Sequence, residues 1–173
     1  MIVRYVVSGI KNIDIWPLDE VKNYLRVSHD YDDKLIGNLI DAAIESAELF
    51  TGLSLHIRQI ICRINNAANI IYLNHLPILL IEGIVWMKKD EKQDITKEFD
   101  NIQYGSNIVS VPDRYLKKDL EIKYTAGYAD IIPRSISQGI LMHIAAMYEN
   151  AGGGVILSSQ IKDLYIPYRA MKI

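Results

Sequence analysis

Two kinds of apolar periodicity are segregated along this chain, and that segregation limits its fold more than any other feature. Helical spacing marks both ends of the sequence, strand character fills the middle, and the two never alternate. From Leu18 to Val27 the residues Leu18, Val21, Tyr24 and Leu25 recur at helical intervals, with Asp19 and Glu20 in the first turn, where the helix dipole favours acids. Pro17 punctuates the start, and residues 1 to 16 before it show only loose alternation, as an extended arm or edge strand would. A second helix is predicted from Asp33 to Thr51, with Leu35, Ile36, Leu39, Ile40, Ala43, Ile44, Ala47 and Phe50 forming a wide apolar stripe before Gly52. A third opens at Pro133 and carries Ile136, Ile140, Ile144 and Met147 on one face as far as Gly152-Gly153-Gly154.

Between the second and third helices, residues 55–128 break into short runs rich in Ile, Val and Tyr, separated by turn signals such as Asn65-Asn66, Asn74 to Pro77 and Lys88 to Asp94. Leu120-Glu121-Ile122-Lys123-Tyr124 alternates most cleanly and predicts a strand with one buried and one wet face. Without βαβ alternation, a parallel sheet is excluded. The fold class expected is α+β: a three-helix core (about 18–27, 33–51 and 134–151), an inserted small antiparallel β-sheet (about 55–128) and an extended C-terminal tail (155–173). With 173 residues, half of them apolar, the chain has material for one sizeable core, so a single domain spanning 1–173 is expected.

Composition removes several functions. A net charge of −2 does not suit a protein that grips nucleic acid through a surplus of Lys and Arg. The longest apolar run, Ile78 to Met87, is interrupted by Glu82 and Gly83 and falls short of a membrane span, which takes about 20 residues. The first nine residues lack an export signal, and the lone Cys62 sits in an apolar run as a buried, inert thiol would, so synthesis in the cytoplasm is expected.

Candidate sites are few. His29, Asp30, Asp32 and Asp33 form the one concentration of ligand-type residues. A metal-dependent hydrolase built on His29 and Asp30 would need further ligands, and His56, His75 and His143 lie in contexts without spaced partners. Capping of the second helix accounts for these acids without a metal. The triple glycine follows a helix and lacks the Lys-Ser/Thr of a phosphate loop, and Ser158 and Ser159 have no glycine elbow around them. No catalytic residue, cofactor or metal is expected. The tail is different, because Leu164 to Ile173 keeps large apolar and aromatic residues to its last position. Two readings stand: the tail docks on its own subunit, or Tyr165, Ile166, Tyr168, Arg169 and Met171 anchor a partner, as aromatics and Arg do in interfaces.

Three stretches together resemble the head-tail connector (adaptor) proteins of long-tailed phages, prophages and gene transfer agents. They are Leu18 to Val27 with Asp30 to Asp33 and the helix to Phe50-Thr51-Gly52, Tyr124-Thr125-Ala126-Gly127-Tyr128 with Ile132-Pro133 and the helix to Asn150, and Leu164-Tyr165 leading to Pro167-Tyr168-Arg169. The resemblance implies a structural virion protein of the neck, made in the bacterial host. It would be a ring of identical subunits below the portal, touching the portal on one side and the next neck or tail-completion protein on the other. DNA would pass through the channel without specific binding, and the acids Asp41, Glu45 and Glu48 of the second helix would face the channel and repel phosphates. Another neck component, a stopper or tail-completion protein, is the alternative within the same class.

Overall fold

The strand period of residues 120–126 becomes, in a computed structural model, the middle strand of a five-stranded antiparallel sheet. The structure describes residues 2–11, 15–89, 91–99, 107–128, 131–150 and 157–169. It comprises two compact units, residues 1–12 with 56–129 and residues 13–55 with 130–173.

Among its described residues the first unit holds seven strands: β1 (Ile2–Lys11), β2 (Ile57–Asn65), β3 (Ile70–Tyr72), β4 (Ile78–Met87), β5 (Lys92–Asp94), β6 (Ile108–Ser110) and β7 (Leu120–Ala126). The main sheet runs β1-β2-β7-β4-β5, and β3 pairs with β6 in a separate two-stranded ribbon. Residues 2–11 are thus an edge strand of the sheet, paired antiparallel along β2. On β7 every second side chain, Leu120, Ile122, Tyr124 and Ala126, is buried. These join Ile60, Cys62 and Ile64 of β2 and Ile71 and Val109 of the ribbon in one apolar cluster. Each such aliphatic side chain contributes about 1.5–3 kcal/mol on burial.

The buried polar atoms of this cluster have partners. Tyr124 donates its hydroxyl to the Asn74 carbonyl at 2.6 Å, and Tyr5 donates to the Tyr72 carbonyl at 2.9 Å. Burial pushes the Cys62 thiol up to about 12, which keeps it protonated and inert at neutral pH. Gly127 closes β7 at φ +126°, and a Cβ there would lie 2.8 Å from the His56 carbonyl carbon. The Tyr124 to Tyr128 signature is therefore a packing requirement, since only glycine tolerates that backbone and that approach.

The second unit holds α1 (Leu18–Leu25), α2 (Asp33–Thr51), α3 (Arg134–Glu149) and α4 (Ser159–Tyr165). α1 stops two residues before the expected end because Arg26 takes a left-handed conformation, with the Val27 N–H reaching back to the Lys22 carbonyl at 2.9 Å. α2 has the expected bounds and buries Ile36, Ile40, Ala43, Ile44 and Ala47, while Leu35 is 42% exposed. α3 contributes Ile136, Ile140 and Ile144 from one stripe, and His143 is buried beside them.

The C-terminal tail departs from the extended form expected of it. Residues 159–165 are helical and a 3-10 turn follows over Ile166–Tyr168, so the fold is α+β, with four α-helices among the described residues. Ser158 caps α4, its hydroxyl accepting the Ile161 N–H at 3.3 Å. Seven residues are too few for a helical period to stand out in a sequence, and apolar contact with α3 stabilises the helix instead. The triple glycine 152–154 lies outside the described residues.

Candidate assembly surface

The acids ahead of α2 are held by side chains and do not cap the helix. Asp32 occupies the N-cap position, but its side chain makes no capping bond. Its carboxylate instead accepts the Tyr148 hydroxyl at 2.6 Å, tying the start of α2 to the end of α3. Asp30 and Asp33 converge on the Lys22 ammonium at 2.6 and 2.7 Å. Lys22 is only 8% exposed, so the two carboxylates compensate the burial of its charge. Their hydrogen bonds, Asp30 first, hold the lysine above its usual range, and Lys22 in turn holds the Asp30 carboxyl below its own. His29 faces solvent, 3.9 Å from Asp32. Among the described residues no group of three His, Cys, Asp or Glu could hold a metal. Asp32 and Asp33 take the N-cap and first-turn positions expected of them, but no side-chain capping bond forms; their partners, Tyr148 of α3 and Lys22 of α1, lie on other helices, where local spacing gives no sign of them.

The tail divides between two environments. Tyr165 is wholly buried in the helical unit, its ring 6.1 Å from that of Phe50 and seated against Gly139 of α3. A Cβ at Gly139 would lie 2.9 Å from the Tyr165 Cζ, so the missing side chain makes the notch that admits the ring. Tyr165 therefore docks on its own subunit and is not available as an exposed anchor. Its hydroxyl has no hydrogen-bond partner among the described residues, and burial pushes its pKa up. Beyond it the chain turns outward. Ile166 is 55% exposed, Tyr168 is half-buried, and Arg169 is exposed with its guanidinium 5.3 Å from the Phe50 ring centre. Met171 lies outside the described residues.

The three acids of α2 also separate. Glu48 accepts the Leu55 N–H at 2.7 Å and so clamps the loop that leaves the helix. Asp41 and Glu45 are exposed, four residues apart on one face, and make no ion pair among the described residues. Leu49 continues the same row and is 75% exposed.

No helix of the described residues is long and apolar enough to cross a membrane. No curated protein matches the sequence. Solved structures with the same fold come from particles of gene transfer agents (GTAs). A chain in the neck of an empty GTA particle, computed with C6 symmetry, superposes with a TM-score of 0.76 at 17% identity, covering 100% of this chain and 97% of that one. A chain in the neck of a native GTA particle, computed with C12 symmetry, gives 0.63 at 14% identity over 95% of this chain and 97% of that one. A chain in the virion of a native GTA particle gives 0.62 at 17% identity, covering 100% of this chain and 97% of that one. At these identities the likeness shows the fold. The family is shown by the sequence itself, because residues 17–107, more than half of the chain, match the phage gp6-like head-tail connector proteins. The chain is a member of the phage gp6-like head-tail connector protein family.

Proposed function

We propose that this chain is the adaptor subunit of a neck, forming a ring of identical copies below the portal and joining the DNA-filled head to the tail. Its role is structural, and its partners are further copies of itself, the portal protein and the next neck or tail-completion protein. The observation that carries the reading is family membership joined to a fold shared, over nearly the whole chain, with chains in GTA necks computed with C6 and C12 symmetry. A rotationally symmetric ring needs two different complementary surfaces on each subunit. The exposed row Asp41, Glu45 and Leu49 of α2 supplies one. The exposed end of the tail, Ile166, Tyr168 and Arg169, supplies a contact for the portal or the next neck protein.

Native mass spectrometry over a concentration series, with and without purified portal, tests this. A closed ring of many copies, or a ring that forms on the portal, is the expected result. Removing all of residues 161–173 would strip Ile161 and Tyr165 from the core, so the informative variant is Ile166→Ser with Tyr168→Ala and Arg169→Ala. That variant keeps the fold and loses the partner. The absence of both self-association and portal binding would overturn the adaptor reading, and binding to a tail-side neck protein alone would assign the chain as a stopper or tail-completion protein.

A further inference from the structure

The two units carry opposite net charge. Residues 1–12 and 56–129 hold twelve Lys and Arg against nine Asp and Glu, whereas residues 13–55 and 130–173 hold seven against twelve. The overall value of −2 hides this partition. What matters is which charges remain after each unit has paired its own.

In the sheet unit the described glutamates, Glu82, Glu91, Glu98 and Glu121, are all ion-paired. Glu121 pairs with Arg63 at 2.8 Å and Lys92 at 3.7 Å, Glu82 pairs with Lys123 at 3.0 Å, and Glu98 pairs with Arg114 while accepting the Tyr115 hydroxyl. Asp119 is occupied by Asn65 and by the Asn66 N–H. The surplus is basic and gathers at one end of the sheet, where the Met87 N–H bonds the Asp119 carbonyl at 2.8 Å and brings the β4–β5 hairpin beside the turn before β7. Lys88 and Lys118 both lie over the Trp86 ring, 4.6 and 5.4 Å from its centre, and Lys88 is also paired with Glu91 at 3.7 Å. The indole face holds two like charges close together. Lys117 and Lys118 are exposed, and no carboxylate among the described residues is within ion-pair reach of either.

In the helical unit the surplus is acidic. Lys22 is bound by Asp30 and Asp33, and Asp41 and Glu45 are left unpaired in a row that ends at the exposed Leu49. We propose that the Asp41, Glu45 and Leu49 row of one copy docks on the Lys117 and Lys118 pair beside Trp86 of the next. The partner is a second copy of this chain, and charge complementarity selects it. Different patches meet in this contact, so it propagates head to tail as a ring requires. The inference rests on the ring reading above and assigns Asp41 and Glu45 to the neighbouring subunit in place of the channel.

The test is a charge swap between copies. One variant carries Asp41→Lys and Glu45→Lys, the other Lys117→Glu and Lys118→Glu; all four positions are exposed, and circular dichroism checks that both variants fold. Each variant alone is expected to self-associate more weakly than the wild type by about tenfold or more, as like charges then meet. An equimolar mixture is expected to regain the oligomer, because every contact in an alternating assembly again joins opposite signs. Raising salt from about 0.1 M to about 1 M shortens the screening length from about 10 Å to about 3 Å and is expected to dissociate the wild type. Three results overturn the contact: variants that assemble like the wild type, a mixture of folded variants that stays apart, or a wild type that stays monomeric at low salt. In the first case the ring reading stands and the acids return to the channel. In the last, portal binding decides separately whether the neck reading survives.

Discussion

The sheet unit and the helical unit solve the burial of polar groups in opposite ways. In the sheet unit the hydroxyls of Tyr5 and Tyr124 reach backbone carbonyls, and the carboxylates Glu82 and Glu121 are held by lysine, arginine and hydroxyl partners on neighbouring strands. In the helical unit a lysine is buried between two aspartates, a tyrosine hydroxyl is buried with no partner among the described residues, and Tyr31 and Leu49 are 93% and 75% exposed. Strand pairing brings residues distant in sequence into fixed register, so cross-strand charge pairs form as a by-product of the backbone ladder. Helices satisfy their backbones internally, and what they do with side chains depends on which neighbour arrives. A connector needs surfaces free for other subunits, and the large apolar side chains with the highest exposure, Tyr31, Ile131 and Leu49, lie in the helical unit.

The largest expected effect falls on α4. Tyr165→Ala should cost about 3–5 kcal/mol, the usual range for truncating a large buried aromatic, and should raise hydrogen exchange across α3 and α4 more than in the sheet. Tyr165→Phe sharpens the contrast, because it removes only a hydroxyl without a partner and is expected to leave the melting temperature unchanged or raised. A clear loss of stability on Tyr165→Phe would mean that the hydroxyl has a partner and that the two units are more alike than they look.

In the sheet unit the corresponding weak point is backbone geometry. Gly127→Ala places a Cβ against the His56 backbone at a φ of +126°, and a cost of about 1–3 kcal/mol is expected in a denaturant melt. A neutral outcome would show that β7 can end in another conformation.

The ion-paired cluster gives the helical unit a pH signature that one substitution can isolate. The Asp30 carboxyl is depressed in the folded state, so its contribution is present above its unfolded pKa, near 4, and is lost as pH falls through the lower folded value. Lys22→Met should therefore be less stable than the wild type at neutral pH, and the gap in melting temperature should close on acidification. A gap that persists unchanged at pH 2 would assign the effect to packing of the lysine stem. The smallest effect is expected for Glu121→Gln, where loss of a surface pair should cost no more than about 1 kcal/mol by double-mutant cycle with Arg63→Met.

Much of the architecture is readable from neighbouring residues. The stripe of α2, the alternation of β7 and the stop at Gly52 are periodic or positional signals, written within a turn or two of where they act. Cys62 as an inert buried thiol was legible for the same reason. The candidate surface was legible only in part. Glu48 looks equivalent to Asp41 and Glu45 along the sequence, yet it alone meets the Leu55 N–H. Tyr165 looks equivalent to Tyr168, yet it alone faces the notch left by Gly139.

By itself, then, the sequence determined the segregated α+β order, the long helices, the character of the strands and the family, because periodicity and turn chemistry are local. Only the tertiary structure decided that β1 pairs with β2, that Asp30 and Asp33 belong to Lys22, that the tail forms α4, and which charges remain unpaired. Those outcomes depend on which distant side chain arrives at a given place, and no spacing along the chain encodes that meeting.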